Sequence, residues 1–311
     1  MATAQPQRIP VEVDGRTLTL SNLHKVLYPQ TGFTKGEVID YYTRIAPVLL
    51  PHLAGRPLTV KRYPNGVDAP FFFEKNASRG TPDWVRTVTL PVPGSTMNRE
   101  TIDFLVVEEL ATLVWLANLA ALELHSPQWT VGPRGGVHGA DLLVFDLDPG
   151  PPATVVDCSR VALQIRAVLA ADGLACFAKT SGNKGMQLSV PIQPASEGRT
   201  SGYAKRLAES LSGEDDRIVS RMTRALRPGK VFIDWSQNNP AKTTVSVYSL
   251  RARDRPTASA PLSWDEVSDC ADGELMAFTS DEVLDRVARD GDLHAGALDD
   301  SLRAPLPDAP D

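Results

Sequence analysis

Apolar and polar positions alternate between residues 11 and 20, across the dipeptide Asp14-Gly15, which predicts a short strand with a hairpin turn signal inside it. The period then lengthens. Thr34 followed by Glu37 has the form of a capping box, and Val38, Tyr41, Tyr42, Ile45 and Val48/Leu49 recur at helical spacing. A helix with one buried stripe is therefore expected as far as about residue 50, ended by Pro51 and the turn Gly55-Arg56-Pro57. Strand-like runs follow at 58–62 and 85–90. The stretch 105–124 is apolar nearly all round and reads as a buried helix, with His125 at its end.

From Asp141 the texture changes. Residues 142–145 form a β-rich run, followed after a Pro/Gly turn by a helix over about 155–171, strands at 175–179 and 186–191, and a helix around 203–211. Further strands are expected at 231–235 and 243–248. Strands alternating with helices imply an α/β architecture. No internal repeat and no long linker interrupts the chain, so residues 1–295 read as a single two-lobed domain. Residues 296–311, rich in Asp, Ala and Pro, read as a mobile acidic tail.

The chain of 311 residues is 42% hydrophobic and 23% charged, a globular balance that excludes wholesale disorder. A net charge of −6 argues at first against a nucleic-acid partner, but its distribution reverses that view. Residues 256–311 hold 14 acidic side chains against 3 arginines, a balance of −11, which leaves +5 for residues 1–255. Within these, residues 217–255 carry 9 basic residues against Asp234 and Asp254, the concentrated charge expected of a phosphate-binding face. Three widely spaced cysteines, Cys158, Cys176 and Cys270, form no zinc or disulfide pattern and fit a reducing compartment. The polar start, residues 1–10, has no apolar signal core, and no run approaches the roughly 18 apolar residues of a membrane span. A cytoplasmic protein without membrane contact is expected.

The sharpest chemical signal is Asp146-Leu147-Asp148-Pro149, directly after an apolar strand. Side chains two apart on a strand share a face, so Asp146 and Asp148 converge while Leu147 points to the core. Asp234 lies within a second apolar run, where an unpaired charge is costly. It pairs either with an arginine such as Arg221 or Arg251, or with a cation shared by all three carboxylates. Three converging carboxylates suit the two divalent ions of phosphoryl-transfer sites. Between the acidic strands lies Lys179-Thr180-Ser181-Gly182-Asn183-Lys184-Gly185, a hairpin loop or an anion nest with Lys184 as a point charge. Downstream come Gln237, Lys242, Arg251 and Arg253; the two arginines share a face if the strand continues, which suits fork-like triphosphate contacts. Of Phe71, Phe72 and Phe73, at least two are expected to pack in the core, leaving one ring to stack on a base. His125 reads as a packed histidine or a nucleotide contact. Lys25 and Lys35 read as ordinary surface lysines.

Together, the runs at 25–29, 61–66, 72–75, 121–129, 144–150, 180–185 and 231–253 resemble the polymerase domain of bacterial ligase D, a primase-polymerase of the archaeo-eukaryotic primase superfamily. The similarity extends from about residue 16 to 292. It implies an α/β (α+β) primase-polymerase fold, with an RRM-like catalytic sheet packed against a second α/β module. It also implies template-directed nucleotidyl transfer for gap filling or end joining, preferring ribonucleotides and using two Mn²⁺ or Mg²⁺ ions. On the matching positions, Asp146, Asp148 and Asp234 correspond to the catalytic metal ligands. Lys61, His125, Ser181, Lys184, Gln187, Gln237, Lys242 and Arg251 correspond to the nucleotide pocket. Phe72 and Phe73, with Arg253, correspond to DNA contacts, and Lys25 and Lys35 to lysines that grip a 5′-phosphate. The implied partners are DNA with a gap or a double-strand-break end, NTP or dNTP, a Ku-like protein and a separate ATP-dependent DNA ligase, at the bacterial nucleoid.

Two departures qualify the resemblance. Gln187 stands where related sequences usually have histidine, and glutamine can donate a hydrogen bond to phosphate but carries no charge. Weaker triphosphate binding or slower turnover is expected, and a DNA-end-binding scaffold with weak or lost catalysis is the alternative reading. No nuclease or ligase domain is attached, so a stand-alone polymerase module is expected. A metal phosphohydrolase built on the D-x-D strand is a more distant reading.

Overall fold

A computed structural model describes residues 8–92, 99–270 and 276–308; most of the polar start falls outside them. The alternating segment forms the hairpin β1 (Arg8–Val13) and β2 (Arg16–Ser21). Its turn residues Asp14 and Gly15 both take positive φ, at 50° and 74°, the geometry that matches the twist of paired strands. A small pair, β3 (Val26–Tyr28) and β4 (Phe33–Thr34), leads into α1 (Lys35–Leu53). The capping box forms as expected. The Thr34 hydroxyl accepts from the Glu37 N–H at 3.3 Å, and the Glu37 carboxylate accepts from the Thr34 N–H at 2.7 Å. Pro51, expected to stop the helix, lies inside its last turn. The complete burial of Leu49 and Leu53 outweighs the lost backbone bond.

After α1 come β5 (Pro57–Arg62), β6 (Phe72–Glu74) and β7 (Thr87–Pro91). The helix expected over 105–124 is instead a strand, a helix and a strand: β8 (Thr101–Val106), α2 (Leu110–Asn118) and β9 (Ala121–Ser126). A continuous apolar run has no period, and a core helix and a central strand are equally buried, so burial alone could not separate them. Ala120, with φ at 58°, makes the break between α2 and β9.

The second half holds β10 (Trp129–Val131), β11 (Val137–Pro149), α3 (Val155–Ala171), β12 (Phe177–Thr180), β13 (Met186–Ala195) and α4 (Glu197–Glu214). It continues through β14 (Ile218–Val219), β15 (Val231–Asp234), β16 (Thr244–Val245), β17 (Pro261–Leu262), α5 (Trp264–Ser268) and α6 (Ser280–Asp290). Among the described residues, one sheet has the order β14-β15-β11-β13-β12-β17, with β10 added along β11. Its middle, β11-α3-β12-β13-α4-β15 in sequence and β15-β11-β13-β12 in space, is the split βαβ arrangement of RRM-like domains. Leu143, Phe145 and Leu147 face α3 and α4 in one core. The other sheet, β16-β9-β5-β8-β7 with β6 on β5, shares a second core with α1 and α2. The fold is α/β, as expected.

The segment that composition marks as a mobile tail is docked as far as it is described. Ala304 bridges Ile192, the Gln193 N–H donates to the Ala304 carbonyl at 3.0 Å, and Leu306 is buried. A few well-placed contacts suffice where average polarity predicts none. Residues 309–311 lie outside the described residues.

Thr34→Ala removes the hydroxyl half of the capping box. Denaturant unfolding should show a loss of about 1 kcal/mol.

Candidate active site

β11 and β15 run antiparallel with Asp146 opposite Asp234 and Asp148 opposite Phe232. Opposed residues share a face, as do residues two apart on a strand, so this register puts all three carboxylates on the side away from α3 and α4. None of the ion pairs among the described residues includes any of the three. Arg251, the candidate partner of Asp234, pairs with Glu123 at 3.5 Å instead. Burial and the neighbouring Asp148 push the Asp146 carboxyl up to about 7, against a hydrogen bond from Gln187. Asp148 is raised too, by desolvation and then by Asp234, with Arg227 and Lys184 opposing.

Asp234 is held by its own downstream turn. Its Oδ1 accepts from the Ser236 N–H at 3.1 Å and from the Ser236 hydroxyl, and its Oδ2 accepts from the Gln237 amide at 2.8 Å. The Lys242 ammonium donates to the Ser236 hydroxyl. Gln237 and Lys242 are thus gathered at Asp234. Hard carboxylate oxygens on one face, repelling one another and lacking basic ion-pair partners, suit Mg²⁺ or Mn²⁺ in type. Among the described residues no three His, Cys, Asp or Glu groups stand in closed metal-ligand geometry. Closure on a cation requires Asp234, whose two oxygens are both held, to turn from Ser236 or Gln237.

A second cluster centres on Glu123, which sequence reasoning passed over. Glu123 is 3% exposed. It takes His125 Nε2 at 2.9 Å, Lys61 Nζ at 3.2 Å, Arg251 Nε at 3.5 Å and the Ala252 N–H at 3.2 Å. Burial would raise its carboxyl, but the His125 hydrogen bond and the charges of Arg251 and Lys61 bring it down to about 2. His125 is itself lowered by burial, which Glu123 opposes. Reading β9 as a helix hid the signal: on a strand, Glu123 and His125 share a face, and Lys61 lies directly opposite Glu123.

The loop 181–185 joins β12 to β13 and touches both clusters. The Ser181 hydroxyl accepts from the N–H groups of Asn183 and Gly185, at 3.3 and 3.1 Å, so these donors close a hairpin loop rather than an anion nest. A Cβ on Gly185 would stand 2.0 Å from the Leu147 carbonyl oxygen, and one on Gly182 2.6 Å from Arg251 Cγ. Glycine lets the loop lie directly on β11 and against Arg251, and it brings the exposed Lys184 close enough to act on Asp148. Gln187, expected at the phosphates, has its amide engaged at both ends, by Asp146 and by Lys179.

The remaining residues line the surface beyond. Phe71, Phe72 and Phe73 are 50%, 60% and 52% exposed, so none is a core ring as expected of two of them. β6 is a short strand paired on β5, and its aromatic side chains remain uncovered. Phe73 lies 6.4 Å from the His125 ring, and the Lys61 ammonium 5.2 Å over Phe71. Lys25 is exposed and donates to Asn65 at 2.9 Å, but Lys35 is no surface lysine. Lys35 is buried, donates to the Asn118 carbonyl at 2.9 Å and the Ser21 hydroxyl at 3.2 Å, and is pushed down to about 8 by burial and by Lys25. The strand expected over 243–248 stops at Val245 and does not continue to Arg251 and Arg253, so Arg251 is half-buried on Glu123 while Arg253 is exposed. Arg227, unremarked within the basic run, lies 3.7 Å over the Phe232 ring and acts on Asp148.

Residues 34–294 match the family model described as LigD, primase-polymerase domain. The chain belongs to this family. It is 44% identical over 300 residues to the multifunctional non-homologous end joining DNA repair protein LigD of Mycobacterium tuberculosis, covering 94% of this chain and 37% of that protein. It is 31% identical over 297 residues to the bifunctional non-homologous end joining protein LigD of Bacillus subtilis, covering 93% and 46%. The solved polymerase domain from Mycobacterium tuberculosis ligase D in complex with DNA matches with a TM-score of 0.85 and 44% identity, over 91% of this chain and 98% of that one. The chain spans little more than a third of the length of its mycobacterial relatives. As a primase-polymerase domain it is a nucleotidyltransferase. No helix among the described residues is long and apolar enough to cross a membrane.

In this primase-polymerase domain the raised Asp146 has a measurable consequence. Between about pH 4 and pH 7 the folded protein holds a proton that the unfolded chain has released, so this group makes stability fall as pH rises through that window. The buried histidines His125 and His294, held neutral, oppose it in the same window, so the test compares two proteins. In metal-free buffer, raising the pH from 5 to 7.5 should lower the melting temperature of the wild type relative to that of Asp146→Asn. An equal pH dependence in the two would show that the proton sits elsewhere.

Proposed function

We propose that this chain is a repair polymerase of bacterial end joining, which adds nucleotides, preferentially ribonucleotides, opposite a template at a gap or broken end. The reading is supported above all by the β11–β15 register, which sets Asp146, Asp148 and Asp234 on one face without basic ion-pair partners. Two divalent ions bound there, Mn²⁺ or Mg²⁺, would supply Lewis acidity to the primer 3′-hydroxyl and to the leaving pyrophosphate.

The chain's own residues do the rest. Asp146, Asp148 and Asp234 hold the cations, and Gln237 steadies Asp234. Lys184, Lys242, Lys61 and Arg251 receive the triphosphate and neutralise it electrostatically, needing no proton transfer, with the uncharged His125 ring as part of the pocket wall. Ser181 keeps the loop closed so that Lys184 is presented. Phe72 and Phe73 offer uncovered rings to template bases, Arg253 a charge to the backbone, and Lys25 an exposed ammonium to a 5′-phosphate. The phosphate role expected of Lys35 is set aside, because its ammonium is buried on Asn118 and Ser21. The phosphate role expected of Gln187 is set aside, because its amide is engaged within the protein. A Ku-like protein at the DNA end and an ATP-dependent ligase activity complete the repair at the nucleoid.

With a gapped, 5′-phosphorylated duplex, Mn²⁺ and ribonucleotides, the wild type should extend the primer. Asp148→Ala should reduce extension to background while leaving DNA binding intact. Binding by the wild type without incorporation would favour a DNA-end scaffold, and release of phosphate without pyrophosphate would favour a phosphohydrolase. Phe72→Ala and Phe73→Ala should each weaken binding to a single-stranded template by about 1–3 kcal/mol in a fluorescence titration.

A further inference from the structure

Lys179 is 4% exposed, and its ammonium donates three hydrogen bonds: to Gln187 Oε1 at 2.6 Å, to Ser259 Oγ at 2.8 Å and to the Val245 carbonyl at 2.9 Å. An ammonium group has three donors and no acceptor, so its capacity is filled. The amide of Gln187 presents its oxygen to Lys179. Its NH₂ group then faces Asp146 and donates to Oδ1 at 3.0 Å. An amide NH₂ can only donate, so this bond requires an accepting carboxylate oxygen, and among the described residues Oδ2 of Asp146 makes no hydrogen bond.

The sheet register makes this a single row. Lys179 lies opposite Gln187, Gln187 opposite Asp146, and Asp146 opposite Asp234, across β12, β13, β11 and β15. The far end of the row is anchored in the other sheet, because the Val245 carbonyl that Lys179 holds belongs to β16, paired with β9 at His125. We propose that Lys179 is a positioning residue for the acid cluster, acting through Gln187 to hold one oxygen of Asp146 and leave the other available to a divalent cation. The inference rests on the reading of the three carboxylates as cation ligands. Groups that orient metal ligands in this way typically change metal affinity by about 10–100-fold when removed.

The test is Mn²⁺ binding to the full chain by isothermal titration calorimetry, with folding checked by thermal denaturation. Gln187→Met and Lys179→Met should each weaken Mn²⁺ binding by about tenfold or more. The double variant should bind no more weakly than the weaker single one, because both substitutions break the same relay. A purely structural lysine would give additive losses, which would overturn the proposal. So would a folded Gln187→Met protein that binds Mn²⁺ within about threefold of the wild type. If Lys179→Met fails to fold, Gln187→Met alone decides, since it leaves the bonds from Lys179 to Val245 and Ser259 in place. Wild-type protein that binds no Mn²⁺, or binds it undiminished after Asp148→Ala, would instead remove the cation reading of the cluster and the relay with it.

Discussion

Like charges placed directly opposite one another on neighbouring strands destabilise a sheet, and β11 and β15 hold Asp146 against Asp234 with Asp148 two residues away. The opposite face explains how that arrangement survives. Phe145, Leu147 and Ile233 are fully buried against α3 and α4. Burial of each such side chain contributes about 1.5–3 kcal/mol. A slip of one residue would turn these side chains out and the carboxylates in, so the hydrophobic face fixes the register and the acidic face bears the repulsion. The raised Asp146 and Asp148 are the mark of that tension.

Lys184 and Arg227 ease the repulsion at Asp148, but the other cations nearby are committed elsewhere. Lys61 and Arg251, with the His125 ring, are gathered on Glu123, a buried acid in the other sheet. Arg251 reaches the loop 181–185 through Gly182, yet its guanidinium pairs with Glu123 and not with the aspartates. Two regions of opposite character therefore lie close together without neutralising each other. One offers carboxylate oxygens and the other positive charge, which is the division that a metal-bound polyphosphate needs. Lys179 spans the junction, with bonds to Gln187 in one sheet and to the β16 carbonyl in the other.

Much of this was legible in the sequence where a local pattern has a single physical meaning. Alternation around Asp146-Leu147-Asp148 fixes which side chains share a face, and Thr34 with Glu37 marks a helix start; both are found as read. Three features were illegible for a common reason, namely that they depend on pairing partners distant in sequence. Glu123 was hidden in an apolar run whose helix and strand readings bury it equally. The row from Lys179 to Asp234 exists only once four strands take their register. Phe71, Phe72 and Phe73 look like core residues until β6 is seen with their faces uncovered. The tail shows the reverse error: its acidic composition was read correctly, but Leu306 and Ala304 dock it.

The most direct measurement is anomalous X-ray diffraction from crystals of the chain soaked in Mn²⁺. Manganese peaks are expected within about 2.5 Å of carboxylate oxygens of Asp146, Asp148 and Asp234, with Asp234 turned away from Ser236 or Gln237 to reach them. Peaks only at other sites, with the three carboxylates unmoved, would contradict the assignment of this face as a cation site.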